Sequence, residues 1–264
     1  MNGGARIERA IRSASPALVA FLTGGFPDRE RFAALLPRMR EAADLVEVGV
    51  PFSDPMADGV TIQRSSRAAL ERGANLDTIL RAVADSGGRA PVLLMSYLNP
   101  LLAAGFEALA RRAAEAGVSG FIVPDLPLEE SQPLREALAG AGLGLVQLVT
   151  PVTPPPRLER LCRASDGFVY AVTVTGTTGG TAARDPASWH RLNSYLDRVR
   201  AVSPRPVCAG FGIRTPEHAA ALGAHADGLI VGSALIEEIE AGRDPVRFVE
   251  DLRAALDRPR RPER

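Results

Sequence analysis

Eight short runs of apolar and β-branched residues recur along this 264-residue chain, at residues 18–23, 45–48, 92–95, 121–123, 145–149, 168–173, 206–209 and 229–231. Turns and stretches rich in Ala, Leu, Arg and Glu with helical spacing separate them: residues 29–43, 61–71, 106–116, 133–139, 158–164, 189–201 and 216–222, with 246–256 closing the series. A strand-then-helix unit repeated eight times predicts a (β/α)8 TIM barrel of the α/β class. A doubly wound open sheet is the main alternative, but eight units over this length fit the barrel better. No linker-like stretch or internal sequence repeat interrupts the pattern, so residues 1–264 read as a single domain, with a frayed basic tail at about 258–264. The barrel directs the search for function, because its active groups lie at strand C-terminal ends and in the loops that follow.

Composition then narrows the chemistry. All 31 basic residues are arginine, against 31 acidic ones, and the chain has no lysine. Schiff-base aldolases, a pyridoxal phosphate carried on this chain and the P-loop signature are therefore excluded. Zero net charge gives no reason to expect a nucleic-acid partner. Cys162 and Cys208 are isolated, which fits a reducing cytoplasm. Arg6, Arg9 and Arg12 precede an apolar run at 17–22 that is too short for a secretory signal and lacks a cleavage site. No segment has the ~20 apolar residues needed to span a bilayer. A cytoplasmic protein is expected.

The second strand carries an acid within an apolar run, Asp44-Leu45-Val46-Glu47-Val48-Gly49-Val50. Alternation puts the three valines on one face and Glu47 on the other, pointing into the barrel near its C-terminal mouth. A carboxylate there is desolvated, which raises its pKa towards the range of a general acid–base. The loop that follows, Pro51-Phe52-Ser53-Asp54-Pro55-Met56-Ala57-Asp58-Gly59, holds two acids and two prolines. Capping of the helix near Thr61 accounts for at most one of those acids.

At the other side of the barrel, the loops after the seventh and eighth strands are glycine-rich. Gly210-Phe211-Gly212 lets backbone N–H groups approach an oxyanion, and Gly232 and Ser233 add donors at a helix start, where the dipole favours anions. Each loop alone could be only a tight turn, but two together are expected to form a phosphate site, which needs no lysine. His190, His218 and His225 fall in helices or a helix-to-strand turn, where surface roles are expected rather than metal ligation, so no metal site is expected. Cys162 and Cys208 read as buried small hydrophobes, and Trp189 as a packing residue.

The run from Glu47 to Gly59, followed by Ile62-Gln63, closely resembles the signature of the tryptophan synthase alpha-subunit family. The resemblance extends through Phe21-Leu22-Thr23, Met95-Ser96-Tyr97-Leu98-Asn99-Pro100, Val123-Pro124-Asp125-Leu126-Pro127, Glu129-Glu130-Ser131, Gly210-Phe211-Gly212-Ile213 and Val231-Gly232-Ser233-Ala234. It implies a (β/α)8 lyase cleaving indole-3-glycerol phosphate into indole and glyceraldehyde 3-phosphate in L-tryptophan biosynthesis. By the same resemblance Glu47 is the acid–base and Asp58 holds the indole N–H. Phe21, Tyr97, Asp125 and Tyr170 match positions around the substrate, Thr178 a lid residue, and Gly179 a phosphate contact. Phe21, Leu94 and Tyr97 would supply apolar walls for a flat indole. Indole-glycerol phosphate synthase, a competing barrel, uses a catalytic lysine and is excluded.

The resemblance also implies a beta-subunit partner that carries pyridoxal phosphate, in an alpha-beta-beta-alpha heterotetramer, with no cofactor on this chain. Pro51, Phe52 and Asp54 match the loop that faces the partner. The chain departs from the family pattern at Val174, where some members have arginine, at Gly179-Gly180-Thr181 and at Val60. These changes bear on lid closure and coupling more than on chemistry. Two other readings stand beside the partnered enzyme: a weakly catalytic or non-catalytic binding and regulatory subunit, and an independent lyase that releases free indole.

Overall fold

The structure, a computed structural model, describes residues 2–14, 16–173, 186–210 and 212–257. Eight parallel strands close into a barrel in chain order, the eighth pairing back onto the first. They are β1 (Ala17–Thr23), β2 (Leu45–Gly49), β3 (Val92–Met95), β4 (Val118–Ile122), β5 (Gly144–Val149), β6 (Val169–Val172), β7 (Val207–Gly210) and β8 (Gly228–Val231). All eight coincide with the apolar runs, and the open-sheet alternative falls because the last strand has a partner in the first. The largest boundary difference is in β4, which starts three residues earlier than expected. Ser119 and Gly120 look turn-like, yet a Cβ on Gly120 would lie 2.6 Å from the Gly144 carbonyl oxygen, so glycine is what lets β4 and β5 approach.

Alternation along each strand builds two cores. Val46, Val48 and Leu94 face outward into the layer shared with the helices, alongside Leu36, Met39 and Leu80. Val19, Leu45, Leu93, Ile122, Val146, Tyr170, Cys208 and Ile230 fill the barrel interior. The surrounding helices are α2 (Arg29–Ala42), α3 (Val60–Glu71), α6 (Phe106–Glu115), α7 (Gln132–Gly140), α8 (Pro155–Ala164), α9 (Pro186–Val202), α10 (Pro216–Leu222) and α12 (Pro245–Leu256). Four helices add to the expected set: α1 (Gly3–Arg12), α4 (Leu76–Asp85), α5 (Leu98–Ala104) and α11 (Ser233–Glu240). The arginine-bearing N-terminal segment is thus α1, whose Ile7 and Ile11 are fully buried against the interior core. It packs on β1, β2, β4 and β5 and closes the barrel at the strand N-terminal end. The approach is so close that a Cβ on Gly3 would meet the Ser119 carbonyl oxygen.

At that same end, three strand pairs share one hydrogen-bonded bracket. Leu18 N donates to Asp44 Oδ2 at 2.7 Å while Asp44 N donates to the Leu18 carbonyl at 2.9 Å. Asp166 repeats this with Leu145, at 3.0 and 3.1 Å, and Asp227 with Val207, at 2.8 Å each way. Each aspartate satisfies a strand-start N–H and ties β1 to β2, β5 to β6 or β7 to β8. Arg253 of α12 also pairs with Asp44.

Candidate active site

Glu47 lies in the middle of β2, in register with Phe21 on β1 and Leu93 on β3. Its side chain turns inward and is completely buried, and neither carboxylate oxygen has a hydrogen-bond partner among the described residues. Burial, followed by the charge of Asp58, pushes its pKa up to about 8. A buried carboxyl left without hydrogen bonds costs stability, which makes Glu47 a candidate for chemistry.

The β2–α3 loop brings Asp58 to this carboxyl. Gly59 is the N-cap of α3 and no side chain caps that helix, so neither Asp54 nor Asp58 is used in capping. The loop is held from several sides. Gln63 Nε2 donates to the Asp58 carbonyl at 2.8 Å, Val50 N donates to the Met95 carbonyl at 2.8 Å, and Ala57 N donates to Tyr97 Oη at 2.9 Å. Phe52 stacks on the Tyr97 ring, with centroids 5.1 Å apart and planes 25° apart. Burial raises the Asp58 pKa to about 6, opposed by a hydrogen bond from the nearby Tyr97 hydroxyl that favours the charged form. The two acids therefore divide near neutral pH, Glu47 largely protonated and Asp58 largely ionised.

Around them the apolar residues fall as follows. Phe21 sits at the mouth with Phe26, Ile62 and Ile236. Tyr170 lies in the interior core, where burial and then the charges of Glu47 and Asp58 keep its phenol neutral well above the usual pH. Leu94 does not reach this space. The pleat sends it outward, and Leu93 and Met95 take the inward positions; Met95 touches both the interior core and the cluster around Phe21. Met95 is the wall residue that the sequence reading missed, since only the pairing of β3 with β2 separates it from Leu94. Asp125 is exposed and accepts the Leu98 N–H at 2.9 Å, capping α5 beside Tyr97.

The loops after β7 and β8 leave the barrel at this same end. Gly212 has φ +87° and its missing side chain leaves open space, a backbone state that favours glycine. Gly232 is the N-cap of α11, which no side chain caps, and Ser233 is the first residue of that helix. A Cβ on Gly232 would stand 3.5 Å from Phe21, so this helix start abuts the apolar pocket. Thr178 and Gly179, like Phe211 and the tail at 258–264, lie outside the described residues.

The histidines and Cys162 stay out of the site, while Cys208 is a buried thiol of the barrel interior near Glu47 and Tyr170. His190 is exposed on α9, His225 pairs with Asp197 at 2.8 Å, and His218 packs on Trp189 with ring centroids 5.4 Å apart. Cys162 and Cys208 are buried free thiols, and Trp189 packs against the outer core. Among the described residues, no cluster of His, Cys, Asp and Glu could hold a metal ion.

Comparison with known proteins agrees with this geometry. The family model described as tryptophan synthase alpha chain matches residues 7–258. The chain belongs to the tryptophan synthase alpha chain family. It is 44% identical over 256 residues to the tryptophan synthase alpha chain of Phenylobacterium zucineum, covering 96% of this chain and 90% of that one. Identity to the tryptophan synthase alpha chain of Solidesulfovibrio magneticus is 45%, covering 92% and 95%. Among solved structures, tryptophan synthase subunit alpha from Legionella pneumophila superposes with a TM-score of 0.85 at 32% identity, covering 97% and 99%. A chain of Mycobacterium tuberculosis tryptophan synthase also scores 0.85, at 37% identity and 97% coverage of both chains. The tryptophan synthase alpha fold is thus shared along nearly the whole chain.

One surface feature of the chain escaped the sequence reading. Met56, Val60, Leu102 and Val152 are the exposed large hydrophobic residues among those described, Met56 at 83% and Val152 at 76%. All four follow the C-terminal ends of β2, β3 or β5. Pro51 is buried, Phe52 is half-buried and Asp54 is exposed.

Proposed function

We propose that this chain cleaves indole-3-glycerol phosphate to indole and glyceraldehyde 3-phosphate with Glu47 as the acid–base and Asp58 as the indole N–H acceptor. The observation that carries the assignment is the unpartnered, inward-facing Glu47 carboxyl beside an acid of lower pKa. Protonated Glu47 delivers its proton to indole C3, which places positive charge on the ring and draws the N–H towards ionised Asp58. The carboxylate so formed takes the proton of the glycerol hydroxyl as the carbon–carbon bond breaks and the aldehyde forms. Glu47 ends protonated, ready for the next turnover. Phe21, Met95 and Tyr170 line the space for the flat ring. Gly212, Gly232 and Ser233 offer backbone N–H groups and a helix N-terminus to the phosphate, a role in which Gly179 joins them by family resemblance, with Thr178 as a lid residue.

The family membership favours this enzyme over a purely binding or regulatory subunit. A beta-subunit partner is the expectation for the family, and the exposed apolar residues at the barrel mouth support docking there with Pro51, Phe52 and Asp54. We assign pyridoxal phosphate to that partner and an alpha-beta-beta-alpha heterotetramer to the assembly, with no cofactor on this chain. No helix among the described residues is long and apolar enough to cross a membrane, and the two free cysteines support a reducing, cytoplasmic compartment.

Indole release from indole-3-glycerol phosphate, measured with and without a beta subunit, tests the reading. Cleavage that rises sharply with the partner supports the partnered enzyme. Equal, fast cleavage without it supports the independent lyase, and no cleavage in either condition overturns the assignment. Retained turnover by folded Glu47→Gln removes Glu47 from its role.

A further inference from the structure

Tyr97 connects three loops at the mouth. Its backbone carbonyl accepts the Ser96 hydroxyl at 3.0 Å, and the next residue's N–H is held by Asp125 at 2.9 Å. Its ring is buried and stacked by Phe52. Its oxygen accepts the Ala57 N–H at 2.9 Å, while its own O–H faces the carboxylate of the next residue, Asp58. One phenol oxygen thus holds both the backbone before Asp58 and the side chain of Asp58, from an anchor that Asp125 and Phe52 keep in place. The bland alternative is that Tyr97 is only a wall for an aromatic substrate, for which its ring would suffice and its hydroxyl would be idle.

We infer that Tyr97 is a positioning residue, whose hydroxyl places Asp58 both through the Ala57 N–H and through the Asp58 side chain itself. This rests on the roles given above to Glu47 and Asp58, and it adds a function that the ring alone cannot supply. The groups that act on Asp58 are Glu47 from β2, Tyr97 from the start of α5 and Tyr170 from β6, with Asp125 acting on Tyr97 from the β4–α7 loop. The Tyr97 hydroxyl donates a hydrogen bond that favours the ionised form of Asp58.

Tyr97→Phe keeps the ring and removes the oxygen, so it separates the two roles. The whole chain is used, and two readouts need no substrate: amide hydrogen exchange at Ala57, and the titration of the Asp58 carboxyl followed by NMR. Loss of the oxygen is expected to speed Ala57 exchange by about tenfold, as one lost hydrogen bond implies, and to raise the Asp58 midpoint. The acid limb of kcat/KM moves to higher pH with it, and kcat falls by about tenfold while KM stays within about threefold. Phe52→Leu, which loosens the ring but leaves the oxygen, should move both substrate-free readouts in the same direction by less. Unchanged Ala57 exchange together with an unchanged Asp58 midpoint in Tyr97→Phe overturns the inference. If both readouts move as expected but the parent chain releases no indole, the positioning role stands and the assigned reaction fails.

Discussion

The Tyr170 ring occupies the space that any side chain at Gly210 would need: a Cβ there would lie 2.4 Å from a ring carbon and 2.6 Å from the phenol oxygen. Gly210 ends β7 and Tyr170 faces the Glu47 carboxyl from β6, so the glycine determines where an active-site ring rests. Gly210→Ala is expected to displace that ring and lower kcat/KM by about tenfold or more, at an overpacking cost of about 1–3 kcal/mol. A smaller residue at position 170 should recover part of the loss. Steady-state kinetics on both single variants and the double variant check this, and an additive pair would show that the two positions are uncoupled.

The proposed mechanism requires Glu47 protonated and Asp58 ionised, and their values of about 8 and about 6 come in the right order for both to hold at once. The kcat/KM profile is therefore a bell, falling below about pH 6 and above about pH 8. Stability carries a further sign. Burial raises Glu47 above its unfolded value of 4.5, so its contribution is intact below that value and is lost as pH rises through about 8. Glu47→Gln removes the loss. It should match the parent near pH 4 and exceed it by several kcal/mol at pH 9, at about 1.4 kcal/mol per tenfold change in proton affinity. Denaturant melts at both pH values decide it, and equal midpoints at pH 9 would sink the argument.

Gly232 offers a probe of the anion site, because its φ is negative (−120°) and a Cβ would meet Phe21 at a normal 3.5 Å. Gly232→Ala should thus fold and melt like the parent. If the phosphate binds at the uncapped α11 terminus, the added methyl crowds it, so KM should rise by about tenfold with kcat little changed. Protection by inorganic phosphate should weaken in parallel. An unaltered KM would place the phosphate elsewhere.

Gly3 tests the opposite end of the barrel. A Cβ there collides with the Ser119 carbonyl, so Gly3→Ala must push α1 off the base and should cost about 1–3 kcal/mol in denaturant unfolding. The folded fraction should keep the parent's kcat, since this contact is remote from Glu47. A large fall in kcat without loss of stability would contradict the separation of the two ends.

The strands were legible because each is short, apolar and closed by a turn, and Glu47 was legible because a lone acid breaks such a run. Alternation then gave its direction without any contact information. What the sequence could not disclose depended on neighbours distant along the chain. Leu94 and Met95 are both apolar, so only the register of β3 against β2 separates the wall residue from the outward one. Helix α1 was hidden because its pattern of Ile7 and Ile11 among arginines has no meaning until there is a barrel base to cover. Asp125 matched a substrate position by resemblance, but its bond to the Leu98 N–H emerges only when two loops meet.

The aspartate brackets at the strand starts have a consequence for the mouth. A strand's side chains alternate with period two, so sliding β2 by one residue against its neighbours would deliver Val46 or Val48 to the interior and leave Glu47 among the outer helices. Asp44 fixes that alignment three residues before Glu47, by exchanging hydrogen bonds with Leu18 and pairing with Arg253. The base of the barrel is thus the datum from which its chemistry is measured: a carboxylate that never nears the substrate decides which way the reacting one points.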